Sequence, residues 1–292
     1  MRLFWLRSLA LLTLIALVTS ACGGAPAAPG TTGGKGLPKA PEGTLLRKIQ
    51  DRGKIIIGVK YDIPTFGYLN PKTNQLEGFD VEIGRAIAEY IFGDRNAVEF
   101  KEAISKNRIP YLQDGTVDVI LSTMTINEER LQQIDFSVVY YVAGQSLLVP
   151  KNSPIKGLAD LKGKKVGTVK GSTSEKNIRQ KAPEAEVSLF DKYADAVAAM
   201  EAGQVDAVTT DDIILYGFVR QEPDKWQVVG GQFTKEPYGA GVAKGNPELL
   251  EVVNTVIKAM KADGRWKQIY QTWISKDNVP EPPPDDWRAA MQ

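Results

Sequence analysis

Leu112-Gln-Asp-Gly-Thr-Val-Asp-Val-Ile-Leu-Ser-Thr123 and Met200-Glu-Ala-Gly-Gln-Val-Asp-Ala-Val-Thr-Thr-Asp211 are two versions of one phrase. Each runs from a helix end through Gly and Val-Asp into a short apolar strand, then into hydroxyls. Apolar runs of this length after a helix read as buried parallel strands, and open α/β sheets bind ligands just beyond the carboxyl ends of such strands. Two copies predict two sheets, each offering polar groups to one ligand.

Outward from the first copy, Ile55-Ile-Ile-Gly-Val59 and Val98-Glu-Phe100 flank a helical pattern of Phe79, Ile83, Ala86, Ile87 and Tyr90. Around the second copy, Lys165-Val-Gly-Thr168 and Val187-Ser-Leu-Phe190 alternate with helical stretches over 172–181 and 191–202. This rhythm implies an α/β protein with mainly parallel sheets and crossover helices. Extended stretches at 138–149 and 238–243 interrupt it. A helix capped by Asn246, opened by Pro247 and closed by Gly264 follows, and then a short helix carrying Trp266 and Trp273. The simplest partition puts 44–143 and 238–275 in one lobe and 144–237 in the other, with two extended segments as a hinge. Asn70-Pro-Lys-Thr-Asn74 reads as a surface turn.

Residues 1–21 carry Arg2 and Arg7, an apolar run from Leu9 to Val18, and small residues before Cys22, the pattern of a secretory signal peptide. The run is shorter than the ~20 apolar residues of a membrane span. Residues 22–43 have almost no large apolar side chains and read as a flexible tether of roughly 25 Å root-mean-square reach. Residues 276–292, with Val279-Pro-Glu-Pro-Pro-Pro-Asp-Asp, read as a polar, disordered tail.

Lys and Arg number 36, Asp and Glu 35, and the signal peptide's two arginines leave a mature charge of −1. That balance, without a basic run, argues against nucleic acid. With no histidine and one cysteine, no conventional zinc site, internal disulfide or His-based proton shuttle is expected, and no cofactor is called for.

Polar residues gather at the predicted strand ends. Thr123, Thr125 and Arg130 follow the first copy, where Arg130 can fork onto a carboxylate; Asn127 capping a helix with a solvated Glu-Glu-Arg face is the plainer reading. Lys170, Thr173 and Ser174 stand at a strand-to-helix junction whose amides suit an anion, or are an ordinary cap. Asp211 ends the second copy, as an ammonium partner or as a helix N-cap. Lys60 and Arg108 are two further cations, each equally readable as a surface charge. As a set, these groups suit a zwitterion with an extra negative charge.

Gly78-Phe-Asp-Val-Glu-Ile83, Thr123-Met-Thr-Ile-Asn-Glu-Glu-Arg130 leading to Asp135-Phe-Ser137, and Thr210-Asp211 resemble the polar amino-acid-binding proteins of bacterial ABC importers, over about 54–274. The resemblance implies the type II periplasmic-binding-protein fold: two lobes, each a mainly parallel sheet flanked by helices, joined by two hinge strands and closing on one amino acid. It assigns Arg130 and Thr125 to the ligand α-carboxylate, aided by amides near Thr173 and Ser174, and Asp211 to the α-ammonium. Val59-Lys-Tyr-Asp62 and Ser105-Lys-Asn-Arg108-Ile-Pro110 resemble the branch binding glutamate or aspartate, with glutamine or asparagine as the alternative. The likeness is weakest at Asp62–Phe66. It further implies a monomer outside the cytoplasm, lipidated at Cys22, that serves a membrane permease.

Two other classes compete. A small-carboxylate dehydratase on this architecture would need a positioned acid or base, and no charged cluster is left over to supply one. A sensory domain would need a signalling segment after Ile274, where the sequence offers a short polar tail.

Overall fold

The computed structural model describes residues 36–292 and sets the two copies of the phrase at matching places in two sheets. The first sheet has five strands in the order Val98–Glu102, Ile55–Val59, Val119–Ile120, Gly241–Ala243, Ile134–Phe136. The second runs Glu186–Phe190, Lys165–Val169, Ala207–Asp211, Gln145–Pro150, Trp226–Val229. In each, the strand of the phrase is central, parallel to one neighbour and antiparallel to the other.

The letters of the phrase have a local cause. Gly115 and Gly203 take φ of 74° and 71°, the left-handed conformation that ends a helix at little cost only for glycine. The aspartate after each Val staples its strand to the next. Asp118 donates its N–H to Ile56 O at 2.8 Å and accepts Ile56 N–H on its carboxylate at 2.7 Å; Asp206 does the same with Lys165 at 2.7 and 2.8 Å. Each carboxylate satisfies a backbone donor that would otherwise lack a strand partner.

The chain crosses between the sheets twice, at Tyr141–Ala143 and at Glu236–Tyr238, which pair antiparallel. An aromatic cluster surrounds this crossing. Phe66 meets Tyr141 edge-on at 5.1 Å and Tyr238 at 5.7 Å, Phe79 meets Trp266 at 5.9 Å, and Trp266 Nε1 donates to Tyr140 O at 2.7 Å. The same helix that buries Phe79, Ile83 and Ile87, Phe79–Phe92, starts at the site. Its first amides, of Phe79 and Asp80, donate to Thr65 O and Phe66 O, each at 3.0 Å, and so hold the 62–66 segment against the helix start.

Two expectations about the chain ends are corrected. The signal peptide, Cys22 and the first part of the tether lie outside the described residues. Residues 36–43 lie along the first lobe: Leu37 N donates to Ile91 O at 2.9 Å, and the buried Gln50 amide accepts from Ala40 N at 2.7 Å and donates to Pro38 O at 2.9 Å. Backbone hydrogen bonds to one buried amide order a stretch that its apolar content could not. The proline-rich tail is ordered as well, ending in a short helix, Trp287–Ala290, with Ala290 buried among Ile126 and Val139. Prolines lower the entropy lost on ordering such a segment, so few anchors suffice.

Gly78 has φ 134° and ψ 175°, and a Cβ there would run into the Phe66 carbonyl. Gly78→Ala should therefore cost at least ~1–3 kcal/mol in backbone strain alone. Thermal melting should show a fall of about 2 to 12 °C, whereas an unchanged melt would mean that the 62–66 segment does not depend on this turn.

Candidate functional site

The segment after the central strand of the first sheet brings Arg130 inward. Asn127 caps the short helix Glu128–Leu131, accepting Arg130 N–H at 2.9 Å. The cap reading is thus right for the backbone but not for the side chain, which is buried and donates through Nη1 to Thr125 O at 2.7 Å. Thr123 takes φ 44°, unusual for a branched residue. Its N–H meets Asp80 Oδ2 at 3.0 Å, and its carbonyl accepts from Arg108.

Across the cleft, Asp211 ends the central strand of the second sheet and is 4% exposed. It stands at the N-cap position of Asp212–Gln221, yet its side chain makes no capping bond. Instead Oδ2 accepts the Tyr238 hydroxyl, while Oδ1 is buried without a hydrogen-bond partner. Burial, and then the nearby Glu236 carboxylate, push Asp211 well above the usual carboxylate range. Burial also presses on the Arg130 guanidinium, against the pull of Glu236 and Asp211. These three charges therefore act on one another between the lobes.

Lys60 and Arg108 are each 2% exposed, so neither is a surface charge. Their partners differ from those expected. Arg108 donates Nε to Ser105 O at 3.2 Å, Nη1 to Ser122 O and Thr123 O at 2.9 and 3.0 Å, and Nη2 to Gly171 O at 3.4 Å. Its fork is taken up by backbone carbonyls. Lys60 Nζ donates to Ser105 Oγ at 2.9 Å and lies 5.9 Å from the centre of the Tyr193 ring. Burial, and then Arg108, lower Lys60 to about 7, against the opposing pull of Asp62 and Glu102.

The hydroxyls converge as a seam. Thr125 Oγ1 and Thr173 Oγ1 are 3.4 Å apart across the lobes, and the buried Ser174 Oγ donates to Thr210 Oγ1 at 3.3 Å. Lys170 does not join them. Its N–H continues the strand pairing to Phe190 O, which turns the side chain out to an exposed ion pair with Asp191 at 3.5 Å. Lys170 thus stands apart from the anion-receptive junction expected of it with Thr173 and Ser174.

The lobes touch around this site. Gly171 O accepts from both Arg108 and Arg130, the latter at 3.3 Å. Asp62 Oδ2 accepts Tyr193 N–H at 2.9 Å and Ala194 N–H at 3.3 Å, capping from the first lobe a helix of the second. Exposed ion pairs join Lys106 to Asp191, Lys176 to Glu129 and Lys192 to Glu102 at 2.9, 2.8 and 2.6 Å. A cavity of about 250 Å³ opens beside Arg108 and Arg130 but does not extend to Asp211.

Sequence reasoning missed Glu236, Tyr238, Tyr193, Asp62 and Asp80. Glu236 is the most legible in retrospect, an acid in an otherwise apolar crossing strand; buried, it accepts from Asn177 Nδ2 at 2.9 Å.

Two sheets whose central strands end in facing polar groups, joined by a paired crossing, define the two-lobed fold of solute-binding proteins. The chain belongs to the bacterial extracellular solute-binding proteins, family 3, matched over residues 55–276. It is 48% identical over 271 residues to the ABC transporter glutamine-binding protein GlnH of Bacillus subtilis, covering 92% of this chain and 97% of that one. It is 49% identical over 239 residues to a glutamine-binding protein of Geobacillus stearothermophilus, covering 80% and 91%. Among solved structures, an ancestral arginine-binding protein bound to glutamine is similar with a TM-score of 0.71 and 41% identity, over 77% of this chain and 99% of that one.

Burial raises Asp80 from 3.8 to about 7, opposed by the Thr123 N–H. Between those values the folded chain holds a proton that the unfolded chain has lost, so this carboxyl makes stability fall as pH rises through the window. Asp80→Asn removes that dependence while keeping an acceptor for Thr123. Denaturant unfolding should show the variant gaining on the wild type from pH 4 to pH 7; a constant difference would mean that Asp80 does not titrate there.

Proposed function

We propose that this protein captures glutamine outside the cytoplasm and presents it to the permease of an ABC importer, held to the membrane by a lipid on Cys22. The observation that carries the choice of ligand is the bonding of Arg108. A glutamate side chain would need a cation free to receive it, because burying a carboxylate without partners costs several kcal/mol. Arg108 spends its donors on carbonyls instead. Lys60 is left with Asp62 and Glu102 acting on it. Donors and acceptors side by side suit a neutral amide better than a second carboxylate. The expected preference for glutamate or aspartate therefore gives way to the amide, in line with the named ligands of the two Bacillus-type relatives.

In this reading Arg130 and Thr125 take the α-carboxylate, with the amides of Thr173 and Ser174, and Asp211 with Glu236 takes the α-ammonium. A ligand that bridges Arg130 and Asp211 binds the closed arrangement better than the open one, and that difference in affinity is what drives closure about the crossing strands. The lobes are 44–143 with 238–275, and 144–237. The protein acts as a monomer and by binding alone.

Thermal shift with single amino acids tests the ligand. Glutamine at 1,000 times its Kd should add ~4 kcal/mol, read as about 8 to 16 °C, with glutamate well below it; stabilisation by glutamate and not by glutamine would overturn the amide reading. Arg130→Ala should cost about 2 to 5 kcal/mol of binding, and calorimetry showing affinity within about threefold of wild type would remove Arg130 from the site.

A further inference from the structure

The C-terminal segment has no part in the reading so far, yet its course leads to the back of the site. After the helix Arg265–Trp273 the chain runs along the first lobe. Lys261 Nζ donates to Pro283 O at 3.0 Å and pairs with Asp285 at 2.8 Å, from a side chain only 10% exposed. Asp285 O accepts Val139 N–H at 3.0 Å, and Val139 is fully buried where the chain enters the first crossing. Asp286 caps the last short helix by accepting Ala289 N–H at 2.8 Å. From that helix Trp287 and Ala290 pack into a small cluster with Ile126, Leu131, Phe136, Val139 and Val142. Arg288 pairs with Glu128 at 2.7 Å.

The residues gripped in this way flank the arginine turn. Ile126 lies between Thr125 and Asn127, and Glu128 and Leu131 bracket Arg130. The helix they form, Glu128–Leu131, has four residues. An isolated helix below about 12 residues is marginal in water, so beyond its Asn127 cap this turn depends on what packs against it. Thr125 and Arg130 face the cleft, while Ile126 and Leu131 face the last short helix. The turn is thus clamped from behind.

We propose that residues 279–292 form a strap that positions the turn Asn127–Arg130 for its ligand, with Trp287 as the positioning residue. The proposal rests on the reading of Arg130 as the carboxylate grip. Without the strap, the turn spends part of its time out of the binding geometry, and the apparent Kd rises by the inverse of the competent fraction. The strap never touches the ligand. The Arg288–Glu128 pair is exposed on both sides, 63% and 64%, and contributes little; the apolar insertion and the Val139 bond carry the effect.

The test compares the full chain with a variant ending at Asn278, Trp287→Ala, Trp287→Phe and Arg288→Ala, using glutamine as the probe. Trp287→Ala and the truncation should raise the Kd about tenfold, as a competent fraction near one tenth requires. Trp287→Phe and Arg288→Ala should stay within about threefold, the first by keeping the ring and the second because exposed pairs are weak. Hydrogen exchange on the free protein gives a readout independent of the ligand. The amides of residues 126–131 should exchange faster in Trp287→Ala and in the truncation, while those of Ile55–Val59 keep their protection. Unchanged exchange at 126–131, or a Kd within about twofold in Trp287→Ala, overturns the strap. Loss of protection across both sheets in Trp287→Ala does so too, because it would make Trp287 a residue of general stability. If the wild type binds no glutamine but exchange at 126–131 responds as expected, the ligand reading fails and the strap stands.

Discussion

A carboxylate held out of water with half of its bonding capacity spent is the constraint around which this molecule is organised. Asp211 gives one oxygen to Tyr238 and keeps the other without a protein partner, at a place where burial raises the cost of its charge. The Arg130 guanidinium, held by the other lobe, is within reach of its field. Asp211 lies at the end of one central strand and Arg130 on the short helix that follows the other, and both are buried, so the sheets face each other and the lobes touch. The crossing strands and their aromatic cluster hold the two sheets together.

The repeated phrase explains why that geometry could be read from the chain. Its glycines end helices, its aspartates staple neighbouring strands through matched pairs of bonds, and its short apolar run forms the central strand. Every one of these effects is local, acting within a few residues or across one strand pairing, and local effects leave marks in sequence order. Asp211 stands at a strand end and Arg130 on the short helix after one, and both are buried. Asn127 as a cap was equally legible, because a cap depends on the next three residues.

What stayed hidden depends on partners far along the chain. The sequence names Arg108 as a cation but not the carbonyls of Ser122, Thr123 and Gly171 that take its donors. Lys170 reads in the sequence with Thr173 and Ser174 at the anion-receptive junction, but its N–H extends the strand pairing to Phe190 and its side chain ends in an ion pair with Asp191. Glu236 and Tyr238 belong to a strand that reads as mere connection. The chain ends were misjudged through composition: a count of large apolar residues takes no account of a buried amide such as Gln50, or of one tryptophan inserted at the end of a proline-rich run.

Both ends of the described chain lie on the same lobe. Within residues 36–43, Leu37 bonds to the helix Phe79–Phe92 and Pro38 and Ala40 to Gln50 of the helix Leu45–Arg52, while the last helix packs beside Ile126 and Val139. The second sheet, by contrast, is inserted into the first lobe's sequence and joined to it covalently only by the two crossings. Mechanically the first lobe is the stator and the second the rotor. A load applied at either end of the described chain would be borne by the stator and would bypass the axle.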